Sequence, residues 1–535
     1  MDNKKAFEPL DLIKEDKSNI LIIGVVGAVG SGTSWVSKVI KRIFSFRKKN
    51  CYIIKASELI KKYINIKEQK ILDNGKNPFK KVKEYQRFGD DLRQKYDNSF
   101  VAAAFIREIN ENCTFEEANK SIFILDSLKN PSEVELLRMV YGDSFWLLGN
   151  VCDPEVRKSR LEKKFKLKND TYEKELKQFI ARDEDDRNAK HGQHVSSTFE
   201  KADYFINTTE ILSSPNAPIK ILERWSPYKE IIRFVDLITL DHPMLRPTDS
   251  EHGMYSAYAA RLGSACLSRQ VGATLMNDKG EILSTGCNEV PRAGGGLYGQ
   301  SNRINDTPET INEGRCYIFN GACKNTEEKN KIVEEIDDII TEKLKSLETM
   351  NNHEIKKLSQ KIKTDIQKSK VGDLIEFSRS VHAEMDALIS AARKGTSTDQ
   401  CKLFVTTFPC HNCARHIVAA GIKEVQFIEP YLKSKALELH CDSITQDLQE
   451  QKSSGKVLFK PYEGAAPRLY RRSFTKDYEV KNPKSGKFLG KHIRVSNALK
   501  PSQNAIKNLQ QKISEELSRI TPTVSENTND HKLPL

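Results

Sequence analysis

The sequence has little of what marks secreted or membrane-inserted proteins. Acidic residues interrupt the N-terminal segment, so we expect no signal peptide. The most apolar early run, residues 20–29, is too short to cross a bilayer. The eleven cysteines are odd in number and scattered along 535 residues, which excludes a disulfide framework. We therefore expect a cytoplasmic protein with no membrane partner, whose thiols are core residues or metal ligands.

The composition excludes further classes of protein. With 38% hydrophobic and 30% charged residues, the chain is neither collagen-like nor wholly disordered. Its length predicts roughly two to four domains. The net charge of +13 fits a nucleic-acid-binding face, and it equally fits a surface suited to phosphorylated small molecules. Charge alone does not choose between these two interpretations.

The first 235 residues alternate between apolar runs typical of strands and longer helical stretches. The runs are Ile20–Val26, Cys51–Ile54, Ser121–Leu125, Phe145–Leu148 and Tyr204–Ile206, and the helical stretches include Lys80–Asn110 and Pro154–Asp185. Strand alternating with helix predicts a parallel α/β sheet, which we assign to a domain over residues 1–235.

A second domain is predicted over residues 247–475. It opens with a helix-like segment and two strands joined by a turn, at Ser250–Ser268, Gly272–Met276, Glu281–Thr285 and Asn277–Gly280. An insertion at about 300–375 carries apolar residues at helical spacing on both sides of Asn351, which predicts a helical hairpin. The hairpin is either a strap packed on its own domain or an oligomer contact.

The chain beyond Tyr470 is basic and has little apolar periodicity. We interpret residues 476–535 as a basic C-terminal tail that is disordered from Thr521 onward. Such a tail either contacts RNA or DNA or is simply solvated.

The most specific chemical pattern is His382 followed at a distance by Cys410 and Cys413. One imidazole and two thiolates are three ligands for Zn²⁺ and leave the fourth tetrahedral position to water, which predicts a catalytic metal. The two cysteines follow Pro409 at an apparent helix start, where the helix dipole stabilises thiolates. A structural zinc or a chance cysteine pair is the alternative.

Glu384 lies two residues beyond His382 and is placed to shuttle a proton beside the metal. The pattern H-x-E…P-C-x-x-C is the signature of zinc-dependent deaminases, in which the glutamate is not a metal ligand. A structural zinc site would normally have four protein ligands and would not require Glu384.

Residues 247–470, outside the insertion, resemble the deoxycytidylate deaminase branch of the cytidine deaminase family. The motifs are Ser268–Ala273, Gly286–Pro291, His382–Glu384, Pro409–Arg415, Ala420–Ile422 and Glu429–Tyr431. The resemblance implies that Asn288 holds the sugar and base, that Ser268 and Arg269 lie near the phosphate, and that Tyr431 lies near the base or sugar. Each residue also has an ordinary interpretation, as a turn residue, a surface polar group or a packed aromatic.

The chain departs from that family in two places. Glu289 replaces a glycine in the Gly-Tyr-Asn-Gly segment that the family links to allosteric control by nucleoside triphosphates, which puts feedback by dTTP in doubt. Asp386 replaces an asparagine. Some relatives hold a second zinc near the positions of Cys316 and Cys323, but two cysteines do not complete a tetrahedral site, so we expect plain thiols.

A glycine-rich loop follows the first predicted strand and precedes a helix, which is the context of a phosphate-binding loop. Its candidate phosphate-binding residues are Gly27, Gly30, Ser31, Gly32, Thr33 and Ser34. Thr33 stands where the motif has lysine, so we expect nucleotide binding rather than turnover. A tight turn that merely requires glycine is the alternative.

Asp126 ends a later apolar strand and is a candidate Walker B carboxylate on the Mg²⁺ side, while Lys129 could replace the missing charge. The segment from the first strand to Asp126 resembles P-loop nucleotide kinases. Arg157, Arg160 and Arg182 could form a lid over such a site, although scattered arginines are usually surface residues.

Together the two resemblances imply an α/β protein with an N-terminal P-loop NTPase-like parallel sheet and a C-terminal cytidine-deaminase-like α/β/α domain with a helical insertion. This pairing resembles the bacterial anti-phage deoxycytidylate deaminases. The resemblance implies Zn²⁺, a nucleoside triphosphate with Mg²⁺ at the P-loop, free dCMP or dCTP as substrate, a homo-oligomer and an inhibitory small RNA. Two other functions fit the residues: a polynucleotide cytidine deaminase, and a nucleotide-binding regulator whose deaminase-like half is structural.

Overall fold

The computed structural model describes residues 20–75, 77–112, 121–166, 171–184, 191–210, 214–239, 245–299, 315–316, 321–346, 351–431, 433–475, 481–488 and 500–520. They form two compact units. The first comprises Met1–Pro247 together with Glu463–Leu535, and the second comprises Thr248–Tyr462.

The strands are β1 (Leu21–Gly27), β2 (Cys51–Lys55), β3 (Ile122–Asp126), β4 (Phe145–Val151), β5 (Tyr204–Asn207), β6 (Gly272–Met276), β7 (Ile282–Cys287), β8 (Lys402–Thr407), β9 (Glu424–Glu429), β10 (Ile444–Thr445), β11 (Val457–Pro461) and β12 (Gly464–Ala465). The helices of the first unit are α1 (Thr33–Phe46), α2 (Ala56–Tyr63), α3 (Ile66–Asn74), α4 (Pro78–Lys95), α5 (Phe100–Asn112), α6 (Pro131–Tyr141), α7 (Pro154–Phe165), α8 (Thr171–Glu184), α9 (Val195–Phe199), α10 (Ile219–Leu222) and α11 (Ser226–Thr239). The remaining helices are α12 (Asp249–Arg261), α13 (Lys324–Ser346), α14 (Asn352–Lys368), α15 (Ala383–Arg393), α16 (His411–Ala419), α17 (Ala436–Leu439), α18 (Leu448–Ser454), α19 (Pro467–Phe474) and α20 (Lys500–Ile520).

The first unit is built on a six-stranded sheet in the order β12-β5-β4-β1-β3-β2. All neighbouring strands run parallel except β12, which is antiparallel to β5. Strand β1 is buried along its whole length, as expected for a central strand covered by helices on both faces. From β1 the chain first forms β2 and β3 on one side of this strand and then crosses to form β4 and β5 on the other side. Ligands bind at such switch points, beyond the carboxyl ends of the strands.

The predicted helical stretch Lys80–Asn110 is two helices rather than one. The Asp97 carboxylate accepts a 2.7 Å hydrogen bond from the backbone N–H of Ser99 and so closes a turn between α4 and α5. Aspartate in a turn competes with the helix for backbone donors, which the hydrophobic spacing did not indicate.

The second unit contains a six-stranded sheet in the order β10-β11-β9-β8-β6-β7. Strands β8 to β11 pair in parallel, and the β6–β7 hairpin is antiparallel. The predicted turn at Asn277–Gly280 is present, with Gly280 at φ 80°. Together the two units confirm the α/β fold class and its two parallel-rich sheets.

The boundary expected near residue 475 instead falls at 462/463. β12 adds to the edge of the first sheet, and α19 then packs on the same unit. Arg468 forms a 2.8 Å ion pair with Asp203, and its guanidinium lies 5.0 Å from the centre of the Trp146 ring. Arg472 also lies over this ring and pairs with Asp143. Two arginines at the end of the predicted second domain therefore contact residues of the first unit.

The C-terminal segment is not wholly a solvated tail. Helix α20 packs on α5 of the first unit, where Leu517 is buried and Gln510 donates a 2.8 Å hydrogen bond to the Tyr141 hydroxyl. The predicted disorder from Thr521 onward lies outside the described residues.

The predicted hairpin is present as α13 and α14, which pack against each other. Val333 and Ile355 are buried, and Ser359 donates a hydrogen bond to Asp337 at 2.7 Å across the pair. Within the described ranges, none of the helices combines the length and the apolar run that a membrane span needs.

Candidate active site and phosphate-binding loop

Three side chains that could hold a metal ion come together in the second unit. His382 Nδ1 lies 3.2 Å from Cys410 Sγ and 3.3 Å from Cys413 Sγ. For Zn²⁺ with its usual bond lengths, a tetrahedron has nitrogen-to-sulfur edges of about 3.5 Å, so the donor set fits this ion. In the part of the chain that the structure describes, no other group of three or more histidine, cysteine or acidic side chains lies close enough together to bind a metal ion.

Two helices begin at this cluster. His382 is the N-cap residue of α15, and Cys410 is the N-cap residue of α16, where its sulfur accepts the N–H of Cys413 at 3.4 Å. The helix start expected after Pro409 is therefore present. A helix N-terminus carries a partial positive charge, which favours thiolates as metal ligands.

The two cysteines share one hydrogen bond and titrate in opposite directions. The thiol of Cys413, together with His382, holds the pKa of Cys410 down to about 4. The pKa of Cys413 rises because its thiol donates to Cys410 and because it is buried. The bond to Cys410 and the charge of Glu384 raise the pKa of His382 to about 9. At neutral pH the Cys410 thiolate therefore pairs with a protonated His382, and binding of a metal ion would release the protons of His382 and Cys413.

Glu384 sits in the first turn of α15 and is only 4% exposed. Burial raises the pKa of its carboxyl group to about 7, although the neighbouring His382 acts in the opposite direction. A carboxyl group with a pKa near neutrality can both take up and release a proton at physiological pH.

Two acidic residues that depart from the family pattern, Glu289 and Asp386, support this site through hydrogen bonds. The carbonyl of Glu289 accepts the N–H of Val381 at 3.0 Å, one residue before His382. The Glu289 carboxylate is buried and accepts the backbone N–H groups of Ala265 and Val290. Asp386 accepts the N–H of Cys287 at 3.1 Å and so ties α15 to the end of β7.

Gly286 explains how closely α15 approaches the sheet. A side chain at this position would place its Cβ 2.4 Å from the Ala383 carbonyl oxygen and 2.4 Å from the Ala387 nitrogen. Such distances are too short for real atoms, so only glycine lets the helix that carries Glu384 lie on β7.

A cavity of ≈ 330 Å³ opens onto the cluster. His382, Glu384 and Cys410 line it, and so do all four residues expected to contact substrate, namely Ser268, Arg269, Asn288 and Tyr431. The structure thus brings the seven side chains to one pocket of a size that ligands use. Their individual roles stay predictions.

The contacts of the four candidates differ. Asn288 is 8% exposed, accepts the N–H of Val271 at 2.6 Å and donates to the Arg269 carbonyl at 2.7 Å, so its amide shapes the chain segment before β6. Arg269 pairs with Glu429 at 3.4 Å. Burial raises the pKa of Tyr431.

Cys316 and Cys323 line the same pocket. Neither belongs to the metal-binding group formed by the described residues. Cys323 Sγ lies 3.7 Å from the Ser268 hydroxyl, directly before α13.

The glycine-rich loop of the first unit links β1 to α1. Gly30 and Gly32 have φ values of 84° and 90°, which other residues rarely adopt. Asn150 Nδ2 and the Thr208 hydroxyl both donate to the Ser31 carbonyl, at 2.8 and 2.5 Å, and fix the loop from two neighbouring strand ends. The loop borders a cavity of ≈ 840 Å³, which Gly27, Gly30, Gly32, Thr33 and Ser34 help to line. Ser31 itself is buried.

Asp126 and Lys129 reach the same cavity. Burial raises the pKa of Asp126, whereas a hydrogen bond from the Ser34 side chain lowers it. A serine hydroxyl beside a strand-end carboxylate is the pair that binds Mg²⁺ in P-loop proteins. Lys129 Nζ lies 3.2 Å from the Gly27 carbonyl and 2.8 Å from Asp183. A lysine that follows β3 therefore lies beside the glycine-rich loop, which has Thr33 in place of the usual lysine.

The three arginines considered as a lid have protein partners. Arg157 pairs with Glu184 at 2.5 Å, and Arg182 pairs with Asp90 at 2.7 Å. Arg160 lines the cavity and donates to the Thr208 carbonyl at 2.6 Å.

Comparison with known proteins assigns the second unit to a class. Residues 247–429 match the family model described as the cytidine and deoxycytidylate deaminase zinc-binding region. The match covers the three candidate metal ligands and Glu384, so this part of the chain contains a deaminase domain of that family.

Particular relatives share shorter segments. The chain is 42% identical to ComE operon protein 2 of Bacillus subtilis over 53 residues, which are 10% of this chain and 28% of that protein. It is 42% identical to the deoxycytidylate deaminase of Enterobacteria phage T2 over 55 residues, 10% of this chain and 29% of the relative. The chain thus spans under a third of the length of these relatives. A UPF0200 protein of Saccharolobus islandicus is 24% identical over 187 residues, 35% of this chain and 84% of that protein.

Two solved structures are similar to parts of the chain. The dCMP deaminase of cyanophage S-TIM5, in complex with dCMP and dUMP, matches at 19% identity and a TM-score of 0.22 over 41% of this chain and 98% of that one. The APS kinase CysC of Mycobacterium tuberculosis matches at 14% identity and a TM-score of 0.22 over 41% of this chain and 99% of that one.

Proposed function

We propose that the second unit hydrolytically deaminates free deoxycytidine nucleotides, converting dCMP, dCTP or both to dUMP or dUTP. The observation that carries this proposal is that His382, Cys410 and Cys413 lie close enough together to hold one metal ion, beside the buried Glu384 and at the cavity that His382, Cys410 and Glu384 line. The family match over residues 247–429 supports the same reaction class. Arg269, one of the two arginines that line the cavity, suits a phosphorylated substrate.

His382, Cys410 and Cys413 would hold the metal, and zinc at such a site lowers the pKa of a bound water toward neutrality. Glu384 would take a proton from the attacking water and deliver it to N3 of the cytosine ring as a C–O bond forms at C4. Glu384 would then pass the second proton to the exocyclic amine, the C4–N bond would break, and ammonia would leave. The base keeps a carbonyl group at C4.

Replacing the carboxylate separates chemistry from metal binding. Glu384→Gln should lose deamination of dCMP and dCTP, followed as ammonia release, while keeping the zinc content of the unmodified chain by elemental analysis. Glu438→Gln is the matched control, because Glu438 is exposed and pairs only with Lys435 among its described contacts. Turnover retained by Glu384→Gln would rule out the proposal.

The alternative substrates are separated in the same assay. Free dCMP, dCTP and CMP are compared with single-stranded DNA and RNA oligonucleotides at matched cytosine concentration. Polynucleotide deamination would depend steeply on salt, because bound phosphates release counterions. Faster turnover of an oligonucleotide would support the polynucleotide deaminase instead, and no ammonia from any substrate would support a regulatory protein.

We further propose that the first unit binds a nucleoside triphosphate with Mg²⁺ and senses it without rapid hydrolysis. Support comes from the glycine loop, the Ser34–Asp126 pair and Lys129 around one cavity. Calorimetry with ATP and dTTP, with and without Mg²⁺, tests this. Lys129→Ala should weaken binding, and unchanged affinity would contradict the role of Lys129 as the replacement charge.

The biological role is proposed from the pairing of the two units: depletion of dCTP during phage infection by a homo-oligomer held inactive by a small RNA. Nucleotide pools measured after infection should show dCTP falling only in cells that carry the intact chain and not Glu384→Gln. Extracting RNA from purified protein tests the RNA partner, and light scattering tests the oligomer.

A further inference from the structure

The inserted segment forms one wall of the proposed active-site cavity. Lys324, Asn325 and Lys329 at the start of α13 line it, together with the chain between Gly372 and Ser380 that leads to His382. Hydrogen bonds join these two parts: Asn325 Nδ2 donates to the Leu374 carbonyl at 2.9 Å, and Lys329 Nζ donates to the Gly372 carbonyl at 2.9 Å. The base of the hairpin is therefore fixed to the segment that carries the first metal ligand.

The charged side chains that line the cavity are mostly cationic, although Arg269 also pairs with Glu429, which lies outside the lining, at 3.4 Å. Five cationic side chains line it: Arg269, Lys324, Lys329, Arg379 and Lys433. Of the two lining acids, Glu384 is buried beside the metal ligands, and Asp373 pairs with Lys433 at 2.7 Å. A pocket lined in this way concentrates an anion with several charges, since clefts of one sign focus the electrostatic field.

Three of these cations come from the insertion and its return segment, namely Lys324, Lys329 and Arg379. Lys324 adjoins the residues expected near the first phosphate, because the Ser268 hydroxyl lies 3.7 Å from Cys323 Sγ and Cys323 directly precedes Lys324. Lys329 and Arg379 line the same cavity. Lys324 pairs with Glu327 at 2.6 Å, but both side chains are about a third exposed, so this pair can exchange for a phosphate.

We propose that Lys324, Lys329 and Arg379 bind the outer phosphates of a deoxycytidine triphosphate, so that the insertion makes the site prefer triphosphates to monophosphates. This inference rests on the proposed deamination of free nucleotides. Ser268 and Arg269 would hold the phosphate next to the sugar. The insertion would then select by phosphate number, while Asn288 and the metal site act on the nucleoside.

Steady-state kinetics with dCMP, dCDP and dCTP test the selection. KM should fall with each added phosphate, to about one tenth for dCTP relative to dCMP, as expected for charge-assisted contacts that are partly exposed. Lys324→Ala should raise KM for dCTP about tenfold and leave kcat and the KM for dCMP within about twofold. The control is Lys331→Ala on the same helix, since Lys331 is exposed, pairs with Glu328 at 2.7 Å and lies outside the cavity lining.

A second measurement does not require turnover, and nucleotide bound at the glycine-rich loop does not contribute to it, because it follows a residue of the proposed active-site cavity. In the zinc-loaded full chain with Glu384→Gln, iodoacetamide labelling of Cys323 is followed by peptide mass spectrometry. dCTP should protect Cys323 at about one tenth of the concentration required for dCMP, and inorganic triphosphate should protect better than inorganic phosphate. Adding Lys324→Ala should remove the difference between dCTP and dCMP.

The outcomes separate the two proposals. Absence of ammonia from every nucleotide, with Cys323 still protected preferentially by dCTP, would overturn the reaction but keep the triphosphate site. Equal KM values and equal protection by dCMP and dCTP would overturn the selection and leave deamination standing. Protection by oligodeoxycytidine at lower nucleotide concentration than by dCTP would also overturn it, because the cations would then follow a nucleic-acid backbone.

Discussion

The backbone N–H of Val29 in the glycine-rich loop donates a 2.7 Å hydrogen bond to the carboxylate of Asp183. Asp183 is 1% exposed, and its other oxygen accepts from Lys129 at 2.8 Å. Backbone N–H groups in such loops are the donors that hold phosphate oxygens. A carboxylate from α8 therefore uses a donor that an anionic ligand would use, and its charge opposes a second anion in the same place.

Neutralising Asp183 should strengthen nucleotide binding at the loop. Asp183→Asn keeps an oxygen that can accept from Val29 but removes the negative charge, so we expect Kd for MgATP to fall on the order of tenfold. Calorimetry on the full chain measures it.

The control for Asp183→Asn is Glu175→Gln on the same helix, where the carboxylate is about half exposed and pairs with Lys83 at 3.2 Å. This control should leave Kd unchanged. Weaker binding by Asp183→Asn would show that the carboxylate supports the loop rather than competing with the ligand.

Gly286→Ala should damage the proposed metal site from outside it. The added Cβ would meet the backbone of α15 at 2.4 Å and push away the helix that begins at His382 and carries Glu384. We expect kcat/KM for deamination to fall on the order of 100-fold, because misplacing reacting groups by about 1 Å has this effect.

The matched substitution is Gly299→Ala, because a Cβ at Gly299 meets nothing within 4 Å. It should leave both zinc content and kcat/KM unchanged. Equal activity of Gly286→Ala and Gly299→Ala would contradict the role assigned to the close contact between β7 and α15.

The sequence predicts the centre of the candidate site well because its signals are local. The spacing of Cys410 and Cys413 after Pro409 indicates a helix start, and the structure has α16 there with Cys410 as its N-cap. The glycines of the phosphate-binding loop likewise follow a buried strand. Gly30 and Gly32 adopt positive φ values that favour glycine, so the sequence indicates this backbone conformation directly.

What the sequence does not predict depends on residues far apart in the chain. Glu289 binds the N–H of Ala265 and, through its carbonyl, that of Val381, across 24 and 92 residues. The return of the chain to the first unit at β12 rests on two short pairings with β5 that carry no hydrophobic period. Charge patterning alone assigns Arg472 to the basic segment beyond Tyr470, whereas the contact of Arg468 and Arg472 with the Trp146 ring requires the folded sheet.

Glu289→Ala should destabilise the second unit. It would leave the buried N–H of Val290 without its carboxylate acceptor, at about 1–3 kcal/mol, and the partly buried N–H of Ala265 without its acceptor at a smaller cost. We expect a lower Tm for the full chain and a smaller fall for Glu289→Gln, whose amide oxygen can still accept one of the two bonds. Unfolding followed by calorimetry measures both, and equal Tm values for all three proteins would show that the carboxylate does not stabilise the fold.

Cys323 and Cys287 should differ sharply in reactivity. Burial alone would raise the pKa of Cys323, but hydrogen bonds from the Thr326 backbone and the Ser268 hydroxyl hold it below its usual value. Burial, together with the charges of Asp386 and Glu289, raises the pKa of Cys287 to about 11. The thiolate is the reactive form, so alkylation by iodoacetamide increases with pH through the pKa of each thiol.

At pH 7.5 we expect Cys323 to react at least about tenfold faster than Cys287, and the rate at Cys287 to keep rising up to about pH 11. Peptide mass spectrometry after timed quenching gives both rates, and Cys51, whose pKa burial raises to about 12, is an internal reference that should stay unlabelled at pH 7.5. Equal labelling of Cys323 and Cys51 would contradict the stabilised thiolate at the start of α13.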